Sequence, residues 1–170
     1  IHTLRILKVY RDCIMQVANV SEDGNLPSFS VVMPCYNVEN YVEEAIRSVF
    51  QYAYSGAVQV VIVDDGSTDD TWERIQRIVR QEGGNRNICL IRHEKNRGVA
   101  AATDTAYKHA THEWIVKADS DDIQLPDRLV VYAEMIQKHP DVCAVEMACQ
   151  RITEEGVPYE FIPFAKGCED

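Results

Sequence analysis

No run in this sequence approaches the ~18 consecutive apolar residues that a membrane-spanning helix needs. The 170 residues open with neither a methionine nor a signal-peptide layout, so the chain reads as a piece of something longer. Positive charge is scarce: 17 Lys and Arg stand against 27 Asp and Glu, a net charge of −10. That argues against a nucleic-acid binder, which needs a basic face. It leaves nucleotide binding open, because a metal ion can neutralise phosphates. No CxxC pair or regular framework exists among the six cysteines, Cys13, Cys35, Cys89, Cys143, Cys149 and Cys168. Cys35 and Cys89 sit in or beside apolar runs, so buried thiols in a reducing, cytoplasmic compartment are expected. The 46% hydrophobic and 26% charged residues are ordinary for one globular domain with a real core.

What is present is concentrated in one stretch. Trp114-Ile115-Val116-Lys117-Ala118 is a short apolar run with strand character, and Asp119-Ser120-Asp121-Asp122 follows at once. Three carboxylates within four positions repel one another, and burying them costs several kcal/mol unless a cation lies between. Asp119 and Asp121 can reach one ion if the chain turns at the strand end. A hard divalent cation takes such oxygens and shares its shell with water and substrate phosphates. The plainer reading is an acidic loop leading into the helix that begins near Pro126.

Taken in order, residues 1–20 place Ile1, Leu4, Leu7, Tyr10 and Ile14 at helical spacing, with Arg5, Lys8, Arg11 and Asp12 between them. The spacing predicts an amphipathic helix that could lie on a membrane surface or contact a further domain; the alternative is a helix covering its own domain. Ser21 to Pro27 reads as a polar linker, separating residues 1–27 from a domain at 28–170. Phe29 to Met33 is a β-rich run stopped by Pro34. A helix is predicted over Asn40–Gln51, with Asn40 as N-cap and Glu43 completing a capping box. Further strands are expected at Val58–Val63, Ile88–Ile91, Trp114–Ala118 and Val142–Met147. Further helices are expected from Asp70 or Thr71 to Glu82, over Gly98–Ala110 and over Asp127–Lys138.

Strand and helix alternate, and the strands are continuous apolar runs. That is the pattern of an α/β fold with a mostly parallel sheet covered by helices on both faces. Ligands in such sheets bind beyond the carboxyl ends of the strands. The polar clusters all fall there: Pro34-Cys35-Tyr36-Asn37, Asp64-Asp65-Gly66-Ser67, Asn96-Arg97-Gly98 and Asp119-Ser120-Asp121.

These clusters resemble the family 2 glycosyltransferases of the GT-A fold. Val31-Val32-Met33-Pro34-Cys35-Tyr36-Asn37 resembles the family's first strand and Pro-x-Tyr-Asn turn. Val61-Ile62-Val63-Asp64-Asp65-Gly66-Ser67-Thr68-Asp69 is similar to its second strand and Asp-Asp-Gly-Ser loop. Asn96-Arg97-Gly98 resembles its Asn-x-Gly, Asp119-Ser120-Asp121 its Asp-x-Asp metal motif, and Leu125-Pro126-Asp127-Arg128-Leu129 the segment that follows. The resemblance covers about residues 29–150 and implies a Rossmann-like nucleotide-binding sheet.

The same resemblance implies residue roles. Pro34 and Tyr36 would line the base pocket, with Asn37, Asp65, Asn96 and Gly98 also at the nucleotide-sugar, and Asp64 would accept a hydrogen bond from the base. Asp119 would contact the ribose or help hold the metal, and Asp121 would coordinate Mn²⁺ or Mg²⁺ on the donor diphosphate. Without the family, Asp64 reads as a helix cap, Asp65-Gly66 as turn chemistry and Tyr36 as core packing. The implied reaction is inverting transfer from a nucleotide-sugar, a UDP-sugar first, to a carbohydrate or lipid-linked acceptor in polysaccharide biosynthesis. The implied place is the cytoplasm or the inner face of the membrane.

Two departures stand out. Ala102-Thr103-Asp104 replaces an Ala-Arg-Asn common in the family, and the family's acceptor half and catalytic base lie well downstream of the metal motif. Glu169-Asp170 resembles the Glu-Asp pair that supplies the base, which makes Asp170 a weak candidate, so these 170 residues are expected to bind a donor without transferring its sugar. A donor-binding or scaffolding module of a multidomain synthase is the non-catalytic alternative. A sugar nucleotidyltransferase would want a Gly-rich basic loop after the first strand, and Pro34-Cys35-Tyr36-Asn37 is neither.

Overall fold

The computed structural model of the chain describes residues 5–7, 26–145, 149–153 and 156–162. Four of its strands form one parallel sheet: β2 (Phe29–Cys35), β3 (Val58–Asp64), β4 (Asn87–Arg92) and β5 (Trp114–Lys117), in the order β4-β3-β2-β5. The four helices are α1 (Val42–Phe50), α2 (Thr71–Glu82), α3 (Val99–His109) and α4 (Arg128–Lys138). From β2 the chain moves outward through β3 to β4, then returns to the other flank of β2 as β5. The strand order reverses at β2, and at such a point the ligands of parallel sheets lie in the crevice outside the carboxyl ends of the strands, here β2, β3 and β5.

Alternation along the buried strands sorts their side chains to two faces. Phe29, Val31, Met33, Val60 and Ile62 pack with Ala45 and Ile46 of α1, Ile75 and Ile78 of α2, and Leu129 and Tyr132 of α4. Val32, Val61 and Val63 pack on the opposite side with Ala102 and Ala106 of α3. The small side chains of α3 let that helix approach closely. At ~1.5–3 kcal/mol per fully buried aliphatic side chain, these two layers supply most of what opposes chain entropy. Among the described residues no helix is long and apolar enough to cross a membrane.

Pro34 does not end the strand as predicted; it lies inside β2, opposite Val63. Ala118 N–H donates to Val32 O, so the even-numbered backbone groups of β2 face β5. β5 runs out opposite Val32. The N–H that Pro34 lacks would point past the end of β5, so no ladder bond is lost.

Three other expectations are corrected. Tyr41, not Asn40, is the N-cap of α1, without a side-chain cap bond; Glu43 is drawn instead to Arg77 of α2, whose Nε donates to Oε1 at 2.9 Å. Residues 142–145 form no strand, and 146–148 lie outside the described residues. The strand after α4 is β6 (Cys149–Ile152), antiparallel to β7 (Pro158–Ile162) in a separate small sheet. Gly156, at φ 81°, makes the tight turn that joins them. Finally, Arg5–Leu7 is a strand, β1, antiparallel to β6, and not part of a helix. Three residues fit either period, and pairing with a strand edge satisfies their backbone groups. The other positions of the expected helix lie outside the described residues.

Candidate functional site

The turn after β2 is bolted to the loop after β3. Asn37 takes a left-handed conformation, φ 49°, which asparagine tolerates better than most residues. Its N–H donates to Ser67 Oγ at 3.0 Å, and its Oδ1 accepts from Thr68 N–H at 2.9 Å. Val38 N–H donates to Thr71 Oγ1 at 2.8 Å, Glu39 N–H to Asp69 Oδ2 at 3.2 Å, and Asp70 N–H to Glu39 Oε2 at 3.0 Å. Burial opposes ionisation of Asp69, but hydrogen bonds from Thr71 and from Glu39 N–H outweigh it and hold this carboxyl below its usual range. Above this clamp Tyr36 is 42% exposed, whereas Pro34 is buried in the strand.

Asp64 and Asp65 are neighbours with different tasks. Asp64 is fully buried; its Oδ1 accepts from the Ser67 N–H at 3.3 Å and from the Ser67 hydroxyl. Arg92 Nε lies 3.0 Å from Asp64 Oδ2 as an ion pair, yet Oδ2 has no aligned hydrogen bond. Arg92 also donates to Ser67 O at 3.2 Å and stacks over Trp72.

Asp65, 2% exposed, turns inward. Its Oδ2 accepts from Gly98 N–H at 2.7 Å, its Oδ1 accepts from Arg97 N–H at 3.0 Å, and Oδ1 also lies 2.6 Å from His93 Nδ1. The other His93 nitrogen is 3.0 Å from Thr105 Oγ1 of α3. Both oxygens accept hydrogen bonds from the loop that opens α3, so Asp65 positions Arg97 and Gly98. Gly66 makes this possible. At φ 69°, a Cβ there would sit 2.5 Å from the Lys95 carbonyl carbon and 2.7 Å from Asn96 N. Asn96 is exposed and caps the same loop, its Oδ1 accepting from Gly98 N–H at 2.8 Å.

On the other side of the crevice, β5 delivers Asp119 and Asp121, both partly exposed. Asp119 Oδ1 contacts the Lys117 ammonium. The buried Arg128 guanidinium donates to Lys117 O at 3.1 Å and to Tyr132 Oη at 3.0 Å, and it also holds Gln124 Oε1. This pins the start of the acidic loop. Cys35 lies under the crevice: burial first, then the charges of Asp64 and Asp121, push its thiol far above the usual range, with a Ser120 hydrogen bond opposing them. Tyr36, Asn37, Asp64, Asp119 and Asp121 therefore gather at the switch point, and Asn96 and Gly98 sit at the flank behind Asp65. Asp170 lies outside the described residues. A cavity of about 940 Å³ beside β5 reaches Asp119 and Lys117 but none of Tyr36, Asn37 or Asp64, so it flanks the crevice.

Sequence reasoning missed Arg92, His93 and Lys117. The first two carry the signal used for the acids, since both are polar residues directly after an apolar run.

Residues 30–166 match the model of glycosyl transferase family 2. An uncharacterized glycosyltransferase of Haemophilus influenzae is 33% identical over 116 residues, covering 68% of this chain and 45% of that protein. The Staphylococcus aureus TarS structure (residues 1–349) in complex with UDP-GlcNAc superposes with TM-score 0.60 and 31% identity, over 66% of this chain and 32% of that one. Mannosyltransferase PcManGT from Pyrobaculum calidifontis, in complex with GDP-Man and Mn²⁺, superposes with TM-score 0.62 and 29% identity, over 66% and 33%. The chain spans less than half the length of each of these relatives. With its parallel GT-A sheet, its strand-end motifs and a family match over most of its length, this chain belongs to glycosyl transferase family 2.

Proposed function

We propose that this chain carries the donor-binding half of an inverting glycosyltransferase, which moves sugar from a UDP-sugar to a hydroxyl of a carbohydrate or lipid-linked acceptor. The observation that carries the reading is the switch-point crevice. On one side Asp64 keeps a buried carboxylate oxygen without a hydrogen bond, and on the other stand Asp119 and Asp121. A desolvated acceptor oxygen that makes no hydrogen bond within the chain, its charge balanced by Arg92, suits a base N–H, and Tyr36 offers an exposed ring for stacking. The nucleotide-sugar complexes of TarS and PcManGT support a donor of this class.

Asp119 and Asp121 form a short set of hard oxygen ligands, and among the described residues no group of three metal-ligating side chains exists. Such a set fits Mn²⁺ or Mg²⁺ whose remaining positions are filled by a donor diphosphate and water. When bound, the cation would offset charge growing on the leaving diphosphate. The chain's own residues do the rest of the donor's work. The Asn37–Ser67–Thr68 clamp holds the crevice open before the ligand arrives, and Asp64 reads the base. Inversion follows when a base on the acceptor side deprotonates the hydroxyl as it attacks the anomeric carbon opposite the diphosphate.

The test is a thermal-shift screen with UDP, GDP and CDP, each with and without Mn²⁺, on the wild type and Asp121→Asn. The expected result is a UDP shift enlarged by Mn²⁺ in the wild type, with the Mn²⁺ increment lost in D121N and the ligand-free Tm unchanged. A Mn²⁺ increment surviving in D121N would remove Asp121 from the metal. A larger response to GDP would reassign the donor. Metal-dependent binding by a full-length protein that transfers no sugar would favour a donor-binding or scaffolding module.

A further inference from the structure

A metal-binding carboxylate pair has to be kept from repelling itself when the metal is absent. Here the compensating charge is part of the chain. Lys117 and Asp119 are two residues apart where β5 ends, so extended geometry puts their side chains on one side of the strand. The Lys117 ammonium lies on Asp119 Oδ1. Its backbone is fixed by the Arg128 guanidinium bonded to Lys117 O, so the root of the side chain stays in place while its four-carbon stem can swing. The pair is half open to water, with side-chain exposures of 46% and 39%. An ion pair so exposed is weak, and it can be displaced.

We propose that Lys117 is a counter-cation that competes with the divalent metal for Asp119, so that metal enters together with the nucleotide and not before it. The inference rests on the reading of Asp119 and Asp121 as metal ligands. An ammonium on Asp119 Oδ1 and a divalent cation on the same carboxylate repel each other, so a metal arriving alone must push the ammonium out into water. A metal arriving on a nucleoside diphosphate brings anionic oxygens that take up the displaced charge. Lys117 thereby sets both the affinity for free metal and the coupling between metal and donor.

The experiment is calorimetric titration of Mn²⁺ into the protein, alone and with saturating UDP, for the wild type, Lys117→Met and Lys117→Arg. Methionine keeps most of the aliphatic stem and removes the charge; circular dichroism melts check that each variant folds. Removing one positive charge at contact distance from the metal should tighten Mn²⁺ alone by roughly three- to tenfold. With UDP present the gain should be smaller, so the Mn²⁺–UDP coupling factor falls in K117M, while K117R behaves like the wild type. Mn²⁺ affinity unchanged or weakened in K117M, with the wild type binding normally, would overturn this inference alone. Absence of Mn²⁺ binding by the wild type, even with UDP, would overturn the metal reading and this inference with it.

Discussion

Asp64 and Asp65 are adjacent, both acidic and both buried, yet replacing them should do different things. Asp65→Ala removes the acceptor of Arg97 N–H, Gly98 N–H and His93 Nδ1, at 3.0, 2.7 and 2.6 Å. Each hydrogen bond to a charged partner is worth ~1.5–3 kcal/mol. The carboxylate's own desolvation offsets part of this sum, and the exposed edge of the loop lets water reach some of the orphaned donors. The net loss should be about 3–5 kcal/mol, a large share of the ~5–15 kcal/mol that holds a domain of this size. Asp65→Asn keeps one oxygen but turns an NH₂ toward a donor, so about 2–3 kcal/mol is expected. Urea unfolding followed by fluorescence measures both. Amide NMR of D65N should show the Arg97 and Gly98 signals shifted and exchanging faster with solvent. Wild-type stability in D65A, with those amides unmoved, would refute the assignment of Asp65 to the loop and return it to the donor.

Three further outcomes follow. Asp64→Ala should weaken UDP by roughly 1–3 kcal/mol, the cost of leaving a base donor unpaired, and should hardly change binding of ribose 5-diphosphate; equal losses for both ligands in calorimetry would make Asp64 a loop-shaping residue. Because burial and the Asp64 and Asp121 charges push the Cys35 thiol up, iodoacetamide at pH 8 should label exposed Cys143 and spare Cys35 until the protein unfolds, as peptide mass mapping would show. The Asp69 carboxyl is held below its usual range, so its contribution is present above about pH 3.9, the unfolded value, and is lost as pH falls through the folded one. The stability difference between wild type and Asp69→Asn should therefore shrink on acidification from pH 5, and a difference that grew would contradict the sign.

The sequence by itself determined the layered α/β plan. Continuous apolar runs such as Val58–Val63, alternating with helices whose apolar faces recur every three to four residues, leave a chain little choice but a covered parallel sheet. It also determined that the polar clusters share one edge, because residues directly after the apolar runs of a parallel sheet must emerge where its strands end. What lies within a few residues is legible in this way; what depends on partners some 30 positions distant is not. Asp64 and Asp65 look alike in sequence, and only the approach of the Asn96–Gly98 loop over Gly66 decides which one turns inward. Arg92 and His93 acquire their meaning from acids on the neighbouring strand. Pro34 is acceptable in a central strand only because β5 stops short of it. The strand after α4 pairs antiparallel in a second sheet because a tight turn at Gly156 brings β7 alongside it. Lys117 lies against Asp119 only once the end of β5 has fixed both backbones, since an ion pair is a fact of distance and a sequence records only order.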